Sequence, residues 1–261
     1  MITERVLMKE VVYKILDAFT GSKGLRKTIN GFSVKLPTRY INYFPSDYEQ
    51  ENFVFLKQHV KAGDHVLDIG AHIGLFSTIA AQLTGNKGKV YAFEPAAETN
   101  ALLKQTITIN QLENVIEPYQ EAMGAKSGKT TFYVSAVKGD NSNSLVSYKD
   151  DRELYAMDVN MFSIDDFVRT KNLSSLAFMK IDVEGAEYDT LCGAMETLKT
   201  LRPTCIVAIH PEPIAAKGDS LEKIYDLIAG NNYHIYFENK IISKETFCSN
   251  RDLIDLHILP A

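Results

Sequence analysis

The sequence predicts an α/β protein: a doubly wound sheet of about seven mostly parallel strands, with an N-terminal cap over residues 1–62 and an inserted β-hairpin. Three observations carry this reading. From His65 onward short apolar runs alternate with helical patterns, as in Val66–Ile69, Leu75–Leu83, Val90–Phe93, Glu98–Asn110 and Val115–Tyr119, and strands separated by helices of this length form parallel sheets with right-handed crossovers. A glycine turn, Gly70 to Gly74, closes the first strand. Between Lys129 and Met161 the rhythm breaks into two alternating runs, Thr130–Val134 and Tyr155–Met161, around a polar stretch from Lys138 to Ser147; these read as an antiparallel pair, either a lid contact or a plain surface hairpin.

The chain has 261 residues, 45% hydrophobic and 23% charged, which is globular composition and excludes disordered and fibrous architectures. Lys and Arg number 28 against 33 Asp and Glu, for a formal charge of −5. That sign disfavours a nucleic-acid partner, whose binding rests on neutralising phosphates. Cys192, Cys205 and Cys248 show no CxxC spacing, so neither a zinc cluster nor a disulfide framework is expected, and a reducing, cytoplasmic compartment fits best.

No transmembrane segment and no signal peptide are expected. Glu4 to Phe19 places Val6, Leu7, Val11, Ile15, Leu16 and Phe19 at helical spacing with charges between them, an amphipathic helix rather than a continuous apolar run. Such a helix docks on its own core, on a second subunit to make a homo-oligomer through the N-terminal region, or on a membrane surface. Acidic residues on the polar face favour protein. Phe32–Leu36 alternates and ends at Pro37, a short strand. A helix should follow, capped by Asp47 and buried through Tyr48, Phe53, Phe55, Leu56 and Val60.

Beyond the insertion, strands are expected at Phe178–Asp182, Cys205–Ile209, His234–Phe237 and Asp255–Leu259, with helices near Glu187–Thr200 and Leu221–Ala229. Asp165 and Asp166 suit the start of a short helix, where the dipole favours carboxylates.

The strand Val66-Leu67-Asp68-Ile69 runs into Gly70-Ala71-His72-Ile73-Gly74. Glycines there let the backbone approach a small ligand, and the opening helix turn favours a carboxylate or phosphate. Asp68 either receives an ammonium group or ties down its own loop. Glu94 closes the second strand ahead of Pro95, where doubly wound folds place the acid that accepts from ribose hydroxyls. A pyrophosphate fingerprint would need glycine at position 72 and usually at 75; this chain has His72 and Leu75, so NAD is disfavoured. A ligand with a ribose, an amino-acid head and no pyrophosphate remains, which describes S-adenosylmethionine. The candidate cofactor residues are Asp68, Gly70, Ala71, His72 and Gly74 in the turn, and Glu94, Pro95 and Ala122 beyond it.

These segments also carry a resemblance. Val66 to Gly74, Tyr91-Ala92-Phe93-Glu94-Pro95 and Lys180-Ile181-Asp182-Val183-Glu184-Gly185-Ala186-Glu187, with Asn110 and Asn141–Ser144 between them, together resemble the FkbM family of methyltransferases from about Tyr48 to His210. The resemblance implies a class I S-adenosylmethionine fold and O-methylation of a small molecule or sugar. His72 stands where that family often has Asn.

Candidate catalytic residues come from the fourth and fifth strands. Period two puts Lys180, Asp182 and, if the extended backbone persists, Glu184 on one face of a strand that should be apolar. They must pair with one another or face a wet cleft. Lys180 is either a counter-ion for Asp182 or Glu187 or part of the site. His210, at the end of the next strand, is a site residue or a capped loop histidine, and its ordinary pKa suits a proton acceptor. For a hydroxyl nucleophile, Asp182 or His210 is the favoured base, with Glu184 a third choice. A divalent cation on Asp182 with His210 or Glu212 is the weaker alternative, and no metal is expected. Glu187, Asp189 and Cys192 are expected to cap and pack. The competing readings are a noncatalytic cofactor-binding scaffold and an NAD-linked oxidoreductase. The expected partner is a small-molecule or glycan acceptor.

Overall fold

The computed structural model describes residues 23–135 and 154–261. The expected N-terminal amphipathic helix and the polar stretch Lys138 to Ser147, with Asn141–Ser144, lie outside the described residues. The elements run β1 (Leu25–Ile29), β2 (Phe32–Leu36), α1 (Gln50–His59), β3 (His65–Ile69), α2 (Leu75–Thr84), β4 (Lys89–Phe93), α3 (Ala97–Asn110), β5 (Ile116–Tyr119), β6 (Ala122–Met123), β7 (Gly128–Ser135), β8 (Leu154–Phe162) and α4 (Ile164–Thr170). They continue with β9 (Phe178–Ile181), α5 (Glu187–Cys192), α6 (Met195–Thr200), β10 (Thr204–Ile209), α7 (Pro211–Ala216), α8 (Leu221–Gly230), β11 (Tyr233–Phe237), β12 (Lys240–Ile241), α9 (Lys244–Ser249) and β13 (Ile254–Pro260).

The main sheet has the order β12-β11-β13-β10-β9-β3-β4-β5. Five neighbours from β10 to β5 are parallel, while β13 runs antiparallel to both β10 and β11. The run Asp255–Leu259, read above as one more strand in the βα rhythm, reverses direction because it returns from the edge of the sheet to fill the gap between β10 and β11. The chain builds outward from β3 through β4 to β5, then restarts on the other side of β3 at β9. That reversal opens a crevice at the carboxyl ends of β3, β4 and β9.

Period two splits the sheet between two cores. Leu67, Ile69, Met179, Ile181, Val207 and Ile209 pack under α4 to α9. Val66, Val90, Phe178 and Ile206 pack under α1, α2, α3 and the β1–β2 hairpin, through residues such as Val34, Leu36, Phe53, Leu56, Ile79 and Leu103. The described part of the cap therefore shares a core with the sheet.

Several local expectations shift. β1 escaped the reading because Leu25-Arg26-Lys27-Thr28 is largely polar. Asp47 does not cap α1; Glu49 holds that position with φ 44° and no side-chain cap bond. The helix expected over Glu187–Thr200 breaks at Gly193, which has to clear the Gly124 carbonyl: a Cβ there would lie 2.1 Å from it. α4 is capped by Ser163, whose side chain accepts from the Asp166 N–H at 3.2 Å. β7 and β8 pair antiparallel from Gly128↔Met161 to Ser135↔Leu154, and β6 joins β8 in parallel. Among the described residues no helix is long and apolar enough to cross a membrane.

Candidate active site

One cleft of about 1010 Å³, counting its open mouth, lies over the carboxyl ends of β3, β4 and β9. It is lined by Gly70, Ala71, His72, Glu94, Pro95 and Ala122 together with Phe44, Tyr48, Glu49, Lys180, Asp182 and Glu184. Phe132 of β7 closes one side, so the inserted strands touch the cleft rather than lying wholly on the surface.

The β3 turn is shaped by protein contacts. Gly70 has φ +83°, and a Cβ would sit 1.8 Å from the Asp182 carbonyl. The Gly70 and Ala71 N–H groups both donate to the Phe93 carbonyl, at 3.0 and 2.9 Å, and the Asp182 N–H donates to that of Ile69 at 2.9 Å. These bonds weld the ends of β3, β4 and β9 together. Gly74 has φ +87°, and a Cβ there would lie 2.5 Å from the Leu103 side chain of α3.

Asp68 precedes this turn on β3. It is fully buried, absent from the cleft wall, and accepts from the Ser77 hydroxyl on α2. Strand register puts it beside Lys180. Burial pushes its carboxyl up to about 6 against the pull of Lys180 and Ser77. Through Ser77 it ties α2 to β3.

Glu94 is 6% exposed and faces the cleft. Its Oε1 accepts from the Ala96 N–H at 3.0 Å and its Oε2 from the His72 N–H at 3.1 Å. Burial nonetheless pushes the carboxyl up to about 7. Asn100 supports it from α3 by donating to the Glu94 and Tyr119 carbonyls at 3.0 and 2.9 Å. The His72 ring lies within 6.1 Å of Tyr40 and 5.9 Å of Tyr43, between centroids, and burial lowers it to about 4. It is a neutral part of the wall near neutral pH.

The catalytic candidates converge. Lys180 Nζ donates to Asp182 Oδ2 at 2.7 Å and lies 5.6 Å from the Phe76 ring centre. Burial opposes its charge, but Asp182, Glu49 and Asp68 raise it. Lys180 therefore pairs with Asp182 and not with Glu187. For Asp182 burial pulls upward, yet Lys180 and His210 hold the carboxyl below the usual range. β9 ends at Ile181, and Glu184 has φ 50° with Gly185 following at φ 104°. Glu184 thus reaches the cleft by a loop turn and not by strand alternation. His210 lies behind the cleft wall, with Nε2 at 3.7 Å from Asp182 Oδ1 and 3.6 Å from Glu184 Oε1.

Glu187, expected only to cap and pack, is fully buried and accepts from His210 Nδ1 at 2.7 Å and from the Gly185 N–H at 3.0 Å. Its signal in the sequence was an acid at the first position of the helix that follows Gly185. Tyr48, read as a buried helix contact, and Glu49, given no role in the sequence reading, form cleft wall because the chain enters α1 beside Lys180 and Asp182. Burial and then Glu49 raise the Tyr48 hydroxyl. Among the described residues no group of His, Cys, Asp and Glu is arranged to hold a metal.

Residues 68–235 match the methyltransferase FkbM domain. The chain belongs to the FkbM methyltransferase family. It is 25% identical over 162 residues to the hexuronic acid methyltransferase AglP of Haloferax volcanii, covering 62% of each chain. It is 25% identical over 148 residues to Methyltransferase 1 of Beauveria bassiana, covering 49% of this chain and 57% of that one. The alignments thus span less than two thirds of these relatives. A crystal structure from Clostridium thermocellum with an rRNA-methylase designation superposes at TM-score 0.50 and 14% identity, over 81% of this chain and 94% of that one. This likeness concerns the class I methyltransferase fold alone.

Proposed function

We propose that the cleft binds S-adenosylmethionine and that the protein transfers its methyl group to a hydroxyl of a sugar or secondary metabolite. The observation that carries this is Glu94: a buried acid at the carboxyl end of β4, facing the cleft across the switch point from Asp182. Each of its oxygens takes one backbone N–H and keeps a further lone pair for a ribose hydroxyl. Family membership and the sugar named for the Haloferax relative support the same reading.

Bound at Glu94, the donor supplies an electrophilic methyl group on a sulfonium. The chain's own work is to align the acceptor, exclude water and take a proton. As the acceptor oxygen bonds to the methyl carbon, the carbon–sulfur bond breaks with its electron pair left on sulfur. The hydroxyl proton passes to a cleft carboxylate, Asp182 or Glu184. His210 fits the base role less well, because its imidazole is pushed up to about 9 and is already protonated at neutral pH. Phe44, Tyr48 and Glu49 close the acceptor end, so the division into a cap over 1–62 and a methyltransferase domain over 63–261 is part of this reading. The three thiols are free, which suits the cytoplasm.

Calorimetry is the test. The folded protein should bind S-adenosylmethionine and S-adenosylhomocysteine, and Glu94→Ala should weaken both by about 1.5–3 kcal/mol, the value of charged hydrogen bonds. No binding by folded wild-type protein rejects the proposal. A screen of hydroxylated acceptors with radiolabelled donor then identifies the substrate.

A further inference from the structure

Glu187 is fully buried at the start of α5, with Oε1 engaged and Oε2 without a hydrogen-bond partner. A carboxylate in that position stays ionised only beside a cation. Among the described residues the one cation paired with it is His210, at 2.7 Å. The other ring nitrogen of His210 points between two more carboxylates, Asp182 Oδ1 at 3.7 Å and Glu184 Oε1 at 3.6 Å, and both of these line the cleft. One imidazole thus stands among three acids supplied by α5, the end of β9 and the following loop. Lys180 and His72 face the same group of charges from beyond Asp182.

Two carboxylates side by side in a part-buried site ordinarily share a proton, because like charges raise one of the pair. A cation between them removes that cost. We propose that Glu187 and His210 form a positioning pair: Glu187 holds His210 as an imidazolium, and the imidazolium keeps Asp182 and Glu184 ionised together at the acceptor end of the cleft. His210 is then a fixed charge and Glu187 a positioning residue acting through it. Burial works against the charge, and the Glu187 hydrogen bond with the three acids overcomes it. The inference rests on the methyl-transfer reading for its use, since that reaction needs a ready carboxylate.

The test is a ring titration by NMR on the free protein, with His210 assigned by its loss in His210→Gln. Its midpoint should lie near 9 in the wild type and fall below about 7.5 in Glu187→Gln, toward the ordinary histidine value. In His210→Gln the side-chain carboxyl signals of Asp182 and Glu184 should titrate at higher pH than in wild type. A merely structural role would not move them. Should Glu187→Gln not fold, Glu184→Gln, at the open face of the cleft, must still lower the His210 midpoint. A wild-type midpoint below about 7, or midpoints unchanged in these variants, overturns the proposal. Failure to bind S-adenosylhomocysteine would reject methyl transfer while leaving this titration to stand or fall by itself.

Discussion

At Glu94 the free protein holds a carboxylate in a place that suits it poorly without a ligand. Folding raises its carboxyl from 4.5 to about 7. A group raised on folding contributes stability that is complete below its unfolded value and is lost as pH rises through the folded one. The free protein should therefore lose stability through Glu94 between pH 4.5 and about pH 7, and Asp68, raised to about 6, adds a loss of the same sign. Glu94→Gln has no charge to bury. In urea titrations its stability relative to wild type should improve from about pH 5 to about pH 8, and a constant difference would show that Glu94 does not titrate there. Glu94 was legible at this scale because an acid followed by Pro95 at a strand end is a local pattern. The partner of Asp68 was not, because Ser77 meets it only once α2 packs on β3.

Among the elements, the β1–β2 hairpin is held to α3 by one asparagine. Asn110, at the end of α3, accepts from the Lys35 N–H at 2.9 Å and donates to the Lys35 carbonyl at 2.8 Å. It imitates a neighbouring strand and pins β2 against the helix. Asn110→Ala should cost about 1–2 kcal/mol, two ordinary hydrogen bonds, read as a lower thermal midpoint. The Lys35 amide should exchange faster with solvent, and unchanged protection would refute the pinning role. Helix and strand positions were largely readable from apolar spacing. The break at Gly193 and the reversed direction of β13 were not, since each depends on a partner distant in the chain: the Gly124 carbonyl in one case, the slot between β10 and β11 in the other.

For the whole molecule, the cleft joins groups from the cap, three sheet strands and the inserted strands, so a ligand there should tie the fold together. With S-adenosylhomocysteine at about 100 times its Kd, linkage adds about 2.7 kcal/mol. For a domain of this size that corresponds to a rise of about 5–10 °C in Tm. Scanning calorimetry with and without the ligand checks it; no rise at saturating concentration would place the ligand elsewhere or nowhere.

Alone, the amino-acid order determined what is local: the alternation of apolar runs, the positive-φ turn after β3, the acid that ends β4, and the absence of a pyrophosphate-binding glycine pattern. Those features depend on side-chain period and backbone sterics within a few residues, and they suffice to name the architecture and the donor expected in it. Tertiary structure decided the charge arrangement. Glu187 meets His210 across 23 residues of sequence, Lys180 chooses Asp182, and Tyr48 and Glu49 become cleft wall. Electrostatic energy depends on distance and burial, and neither exists until the sheet brings β9 and β10 together and the chain entering α1 comes to the cleft.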